Sequence, residues 1–227
     1  MNNFDLYNLV NYVINKDING NAFSPSEFDT VLNTQSLRLF KKKLGLPEEY
    51  QPNAPIPRQG VDLTSVNQRD LRPFLVTEVL ALTSGAIDVS SKNIAHVLSA
   101  APNPQTGFEC DELTSSEYYN RSNNAITAPT LYHPAFAWRS DTSLEFLPNT
   151  ITSANIKYYK YPTTAVTVIT ANATTLLPEY DAGSSTELEW DDVNKIDIAY
   201  AILRDAGVNL ERGDVLQYAN NVVKTGD

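Results

Sequence analysis

Apolar residues recur at steps of three and four at the start of the chain. Leu6, Leu9, Val10, Val13 and Ile14 share one stripe, which predicts an amphipathic helix from Phe4 to about Asn15. The run NKDINGN at 15–21 ends it, because Gly20 and the Asx residues favour turns. A second helix follows at once. Ser24 is a good N-cap, Pro25 suits the first helical position, Glu27 completes a Ser-x-x-Glu capping box, and Phe23 and Phe28 take the staple positions. Val31, Leu32, Leu39, Phe40 and Leu44 carry the stripe to Gly45, with Pro47 beyond.

The texture then changes. Pro47, Pro52, Pro55 and Pro57 crowd together, which favours an extended, polyproline-like path and predicts an arm or linker over 46–72. Phe74, Val76, Val79, Leu80, Leu82, Ile87 and Val89, broken by Thr83-Ser84-Gly85, predict strand, turn, strand, with a helix over 75–82 as the alternative. Residues 93–101 fit either state, and 111–124, polar around Tyr118 and Tyr119, reads as a short helix or a loop. Phe136 with Trp138, Leu144 with Phe146, and Ile156 to Tyr161 alternate with small or polar residues. Pro148-Asn149-Thr150 separates the last two, so an antiparallel meander is the economical arrangement, and AVTVIT at 165–170 offers one more strand.

The end is helical again. Val193, Ile196, Ala199, Tyr200 and Leu203 mark one face, and Asp191 or Asp192 complements the amino-terminal dipole. Gly207 suits a C-cap, and Asn209 starts a last helix with Leu210, Val215, Leu216, Ala219, Val222 and Val223 inward. The expected class is α+β: a helical hairpin at 1–45, a proline-rich arm at 46–72, a β-rich central region at 73–186, and a second hairpin at 187–227. Each hairpin has an apolar stripe too large to leave wet, so the two are expected to pack as a four-helix bundle with the β region as an insertion.

Composition narrows the function. With 227 residues and 42 % apolar content, the chain can bury the core of one large domain or two small ones. Lys and Arg number 17 against 27 Asp and Glu, a net charge of -10, which disfavours a basic nucleic-acid-binding face and a polybasic membrane-surface role. The single cysteine, Cys110, excludes an intramolecular disulfide and cannot by itself hold a structural zinc. The opening residues lack the basic start and apolar run of a leader, and no stretch reaches the roughly 18 apolar residues of a membrane span. The expectation is a protein without a membrane anchor, folded in a cytosol-like compartment.

Catalytic patterns are sparse. The nine glycines are too widely spaced for a G-x-G-x-x-G turn or a P-loop, and His96 and His133 show no metal-ligand spacing. Cys110 is surrounded by Glu109, Asp111 and Glu112, which disfavour a thiolate. The 15–21 loop matches an EF-hand at Asn15, Asp17, Asn19 and Gly20, but the position of the bidentate acid holds Ser26, so an Asx-rich turn is preferred to calcium. Acids at Glu48, Glu49, Asp111, Glu112, Glu187, Glu189, Asp191 and Asp192 have no evident cleft to face across, and Lys41-Lys42-Lys43 fits a helix carboxyl end better than a phosphate contact. Neither an enzyme nor a cofactor is expected.

The order of features carries a resemblance. FDLYNLVNYVINKDINGNAFSPSEFDTVLNTQSLRLFKKKLGL, the central APTLYHPAFAWRSDTSLEFLPNTITSANIKYYKYP, and the closing LEWDDVNKIDIAYAILRDAGVNLERGDVLQYANNVVKTGD together resemble structural proteins of tailed bacteriophages, and most closely the neck and tail ring (head-to-tail connector) proteins of crAss-like phages. The resemblance implies a virion protein assembled in the bacterial host cytoplasm, present as a closed ring of about twelve copies whose neighbours meet through two different surfaces. Its partners would be copies of itself and the portal or other ring and tail proteins, with genomic DNA passing through the lumen without specific binding. Pro52, Pro55 and Pro57 on the arm, and Tyr158, Tyr159 and Tyr161 on an alternating strand, are the candidate subunit-contact residues. The alternative is a receptor- or glycan-binding tail module that uses the tyrosine-bearing strand.

Overall fold

The computed structural model describes residues 1–17, 22–45, 65–104, 108–171 and 178–206. They belong to two compact units, one made of 1–70 with 162–227 and the other of 71–161.

Helices dominate the first unit. α1 (Asn3–Asp17) buries Leu6, Val10 and Ile14, the centre of the expected stripe, while Leu9 at its margin is exposed. α2 (Pro25–Leu44) begins with the expected capping box: the Ser24 N–H donates to the Glu27 carboxylate at 2.9 Å, and the Glu27 N–H to the Ser24 hydroxyl. It ends at Gly45, whose φ of 84° is the left-handed conformation a glycine adopts without penalty, and whose N–H donates to the carbonyls of Lys41 and Lys42. Lys43, in the last turn, pairs at 2.8 Å with Asp70 at the end of α3 (Ser65–Asp70). α5 (Asp192–Asp205) is capped by Asp191, which accepts the Asn194 N–H at 2.9 Å.

These helices do not form the expected pair of hairpins in a four-helix bundle. α5 packs on both α1 and α2, and the helix expected from Asn209 lies outside the described residues. The physical reason is on α2, where Asp29, Asn33 and Ser36 recruit extended chain. Asn33 clamps Ala165 with its whole amide, donating to the carbonyl at 2.8 Å and accepting the N–H at 2.7 Å; Asp29 accepts the Thr167 N–H at 2.8 Å. On the other arm, the Trp190 indole donates to Ser36 at 2.9 Å. The arms are tied by the Val166↔Thr186 bridge and joined through a ribbon of β8 (Ile169–Ala171) and β9 (Pro178–Tyr180). Buried Ala165, Leu188 and Trp190 supply apolar cover that a second helical hairpin was expected to give. Asn3 fastens the second arm to α1: it donates to the Thr186 carbonyl and accepts the Leu188 N–H.

α5 is also turned relative to expectation. Val193, Ile196 and Tyr200 are exposed, and Ile198, Ile202 and Leu203 with Ala199 go inward. The helix is apolar around most of its circumference, so its sequence fits either rotation. Lys195 decides for this one by reaching the Met1 carbonyl at 2.8 Å from a buried position.

The second unit is a small β-sandwich. One sheet has the order β1 (Leu75–Ala81), β7 (Ser153–Lys160), β3 (Ile94–Pro102); the other has the order β2 (Ala86–Asp88), β6 (Ser143–Leu147), β5 (Ala135–Ser140), β4 (Asp111–Glu112). Between them lie Ile87, Val97, Ala100, Phe136, Leu144, Phe146, Ala154, Ile156 and Tyr158. The expected meander holds for β5 and β6 only. β7 crosses to the opposite sheet, so that Leu144 and Phe146 share a core with Ile156 and Tyr158 instead of sitting beside them. The tight turn at Ser84 and Gly85, with φ of 51° and 79°, takes the chain from β1 towards β2 in the other sheet. A side chain at Gly85 would come within 3.0 Å of the Asn149 backbone and the Phe146 carbonyl. α4 (Ser115–Ser122) covers the outer face of the second sheet, where Leu113, Ala135, Ala137 and Tyr118 form a small cluster of their own.

Candidate functional site

Among the described residues no group of three or more His, Cys, Asp or Glu side chains is arranged to hold a metal ion. Of the EF-hand-like run, Asn15 and Asp17 fall within α1, and 18–21 lie outside the described residues. His96 is exposed on β3, and His133 is exposed and stacked on Phe108 with ring centres 4.8 Å apart. The acidic residues before α5 are occupied structurally: Glu187 accepts the Asn3 N–H, and Asp191 is the cap.

Cys110 is buried, and burial, followed by the charges of Asp111 and Glu109, pushes its thiol up to about 12. A thiol in that range carries almost no thiolate near neutral pH. Ellman's reagent at pH 8 is therefore expected to label the folded protein at least about a hundredfold more slowly than the urea-unfolded chain. Rapid labelling without denaturant would contradict the buried, acid-flanked setting.

A concavity lies between α4 and the β5–β6 hairpin. It encloses about 480 Å³ and is lined by Ser115, Tyr118, Tyr119, Trp138, Arg139 and Glu145, among others. Its helix is positioned by a second capping box, in which Thr114 accepts the Glu117 N–H and the Glu117 carboxylate accepts the Thr114 N–H at 3.0 Å. Thr114-Ser-Ser-Glu117 is a legible start signal, and it decides between helix and loop for this segment. Glu145 organises the floor, accepting from Arg139 and from the Tyr118 hydroxyl. Burial first, then the Glu145 charge, pushes the Tyr118 phenol up to about 12, so it stays a donor across the ordinary pH range. Tyr119 is exposed at the mouth and Trp138 is half-buried. Such a cleft offers aromatic faces beside a fixed donor and acceptor pair, chemistry suited to a ligand with both apolar faces and hydroxyl edges.

The candidate contact residues fall differently. Pro52, Pro55 and Pro57 lie outside the described residues. Tyr158 and Tyr159 are buried within the chain, on opposite faces of β7, and Tyr161, just past the strand, is half-buried. The Tyr158 hydroxyl donates at 2.6 Å to Glu78 on β1, whose other oxygen receives the Lys92 ammonium at 2.7 Å. Sequence alternation alone did not reveal that both sides of β7 are covered at this point.

The sandwich and the helical unit with its extended arms define a mixed α/β protein. No protein-family model matches the chain, and no curated protein matches it. Among the described residues no helix is long and apolar enough to cross a membrane.

Proposed function

We propose that this protein is a virion structural subunit, one copy of a ring in the portal-proximal neck or tail of a tailed bacteriophage, joining capsid to tail and lining the DNA channel. The observation that carries the reading is the resemblance of the three long segments, one near each end of the chain and one central, to the ring proteins of crAss-like phages. Two further features are in keeping with it. The β-sandwich is inserted at 71–161 into a helical unit built from both ends of the chain, and a long β insertion on a helical body offers a strand for pairing with a neighbour. The net charge of -10 suits a lumen that repels phosphates and lets DNA slide.

Native mass spectrometry and negative-stain microscopy of the purified chain, alone and with its portal, test the reading. Closed rings of about twelve copies are expected in at least one of the two preparations. A chain that stays monomeric in both, or a ring with a basic channel, would overturn the ring or the lumen assignment respectively.

The α4 cleft favours a second reading, a glycan-binding tail module. Glycan-array binding that disappears in Trp138→Ala and Tyr119→Ala would favour it over the connector.

A further inference from the structure

The sandwich has four sheet edges, and three are closed or short. β2 has 3 residues and β4 has 2. β3 is broken by register shifts between Ile94 and His96 and between Val97 and Ser99, and its Ala100 carbonyl already accepts the Cys110 N–H. Bulges and covering chain are the usual protection of an edge. β1 has neither. Its 7 residues run in unbroken register with β7, from Leu75↔Tyr159 to Ala81↔Ser153.

The phase of that ladder fixes which groups are free. The Leu82 N–H donates to the Thr152 carbonyl, so even-numbered residues of β1 face β7, and Leu75, Thr77, Val79 and Ala81 turn their N–H and C=O groups outward. The Leu75 N–H donates to the Arg72 carbonyl, and among the described residues the outward N–H and C=O groups of Thr77, Val79 and Ala81 have no backbone partner. Thr77, Val79 and Ala81 are also exposed, with Val79 at 55 %. No lysine or proline guards the strand, and its single charge, Glu78, is held inward by Tyr158 and Lys92.

We propose that β1 is the site at which a second copy of this chain adds, β1 against β1, antiparallel about a two-fold axis with Val79 opposite the partner's Val79. The strand is self-complementary in this register. Thr77 then faces the partner's Ala81, Glu78 faces the partner's Leu80, and no like charges meet. About six backbone hydrogen bonds form, and two three-stranded sheets become one continuous sheet. The inference goes beyond the ring reading. An isologous contact closes on itself and does not propagate around a ring, so the pair belongs to the free subunit and shields its open edge until assembly.

Sedimentation velocity of the full chain over about 1 to 100 µM tests this, a range in which a modest edge contact titrates. A concentration-dependent dimer is expected. Val79→Lys sets two ammonium groups face to face and should weaken it at least about tenfold, with the circular dichroism spectrum unchanged because the side chain is exposed. Thr77→Pro removes one outward N–H without touching the β7 ladder and should act in the same direction. An equimolar mixture of Val79→Lys and Val79→Glu should recover the dimer. A wild-type chain monomeric throughout, or a dimer indifferent to both single substitutions, overturns the proposal. Neither result bears on ring formation with the portal, which is read separately.

Discussion

Trp190→Ala is expected to destabilise the helical unit by about 3 to 5 kcal/mol, the largest single effect in that half of the chain. Trp190 is 3 % exposed and sits on the second extended arm, not on a helix. Truncating it leaves a cavity beside α2 and removes the donor that satisfies the buried Ser36 hydroxyl. Trp190→Phe separates the two contributions. It keeps most of the packing volume and loses the indole N–H, so it should cost only about 1 to 2 kcal/mol. Urea unfolding followed by circular dichroism at 222 nm reads both. If Trp190→Ala unfolds within about 1 kcal/mol of wild type, the arm is not a structural part of the helical core.

Glu78→Ala is expected to cost the sandwich about 2 to 3 kcal/mol, because it leaves a buried phenol and a half-buried ammonium without their common acceptor. Tyr158 is 2 % exposed and on the central strand, Glu78 is on the edge strand, and Lys92 precedes β3, so one carboxylate ties together all three strands of the sheet. Burial pulls the Glu78 carboxyl upward, but hydrogen bonds from Lys92 and Tyr158 and the Lys92 charge outweigh it and hold the carboxyl below its ordinary 4.5. A carboxyl lowered on folding adds stability that is fully present above the unfolded value and is lost as pH falls through the folded one. The difference between wild type and Glu78→Gln should therefore be constant from pH 8 to about 5 and shrink below about 4.5. The two tryptophans make this measurable, since Trp138 lies in the sandwich and Trp190 in the helical unit. In a Trp190→Phe background, fluorescence reports the sandwich. A difference that grows on acidification would contradict the assigned network.

Local signals in the sequence were reliable where the chemistry is local. The Ser24 capping box and the Gly45 stop are each read from a few consecutive residues, and each is made as read; Asp191 and Asp192, expected only to complement the dipole, divide the work, Asp191 as the N-cap and Asp192 in the first turn. The acid-flanked setting of Cys110 was legible for the same reason, although burial does more than the acids to push its thiol up. The start of α4 is written in Thr114 and Glu117, a signal that the reading of 111–124 as short helix or loop passed over. The cleft beside it was not legible. Arg139, Glu145 and Tyr118 come together only because β5 pairs with β6 and α4 lies across them.

The failures share one cause, which is that periodicity shows a residue's face but not what covers it. α2 displays Asp29, Asn33 and Ser36 among its apolar positions, and a helical wheel treats them as interruptions. They are the groups that bind the backbone and side chains of the two extended arms, so chain segments with little periodicity of their own took a place assigned to helices. α5, apolar on several sides, had its inward face chosen by Lys195 and by contact with α1 and α2. In the sandwich, alternation marked β5, β6 and β7 as strands but left β3 open, and both β6 and β7 alternate in the same way whether they pair or face each other across a core.

Residue identity and near neighbours were enough for the acidic balance, for α1 and α2 with the Ser24 cap and the Gly45 stop, and for the strand texture of β5, β6 and β7. Each of these depends on residue identity and on neighbours within one or two turns. Long-range packing decided which strands share a sheet, which face of α5 is wet, that Tyr158 and Tyr159 are buried, and that among the described residues no strand pairs with the outer edge of β1. Those outcomes rest on contacts between residues far apart in the chain, where hydrogen-bond satisfaction and core packing select among arrangements that local pattern leaves equivalent.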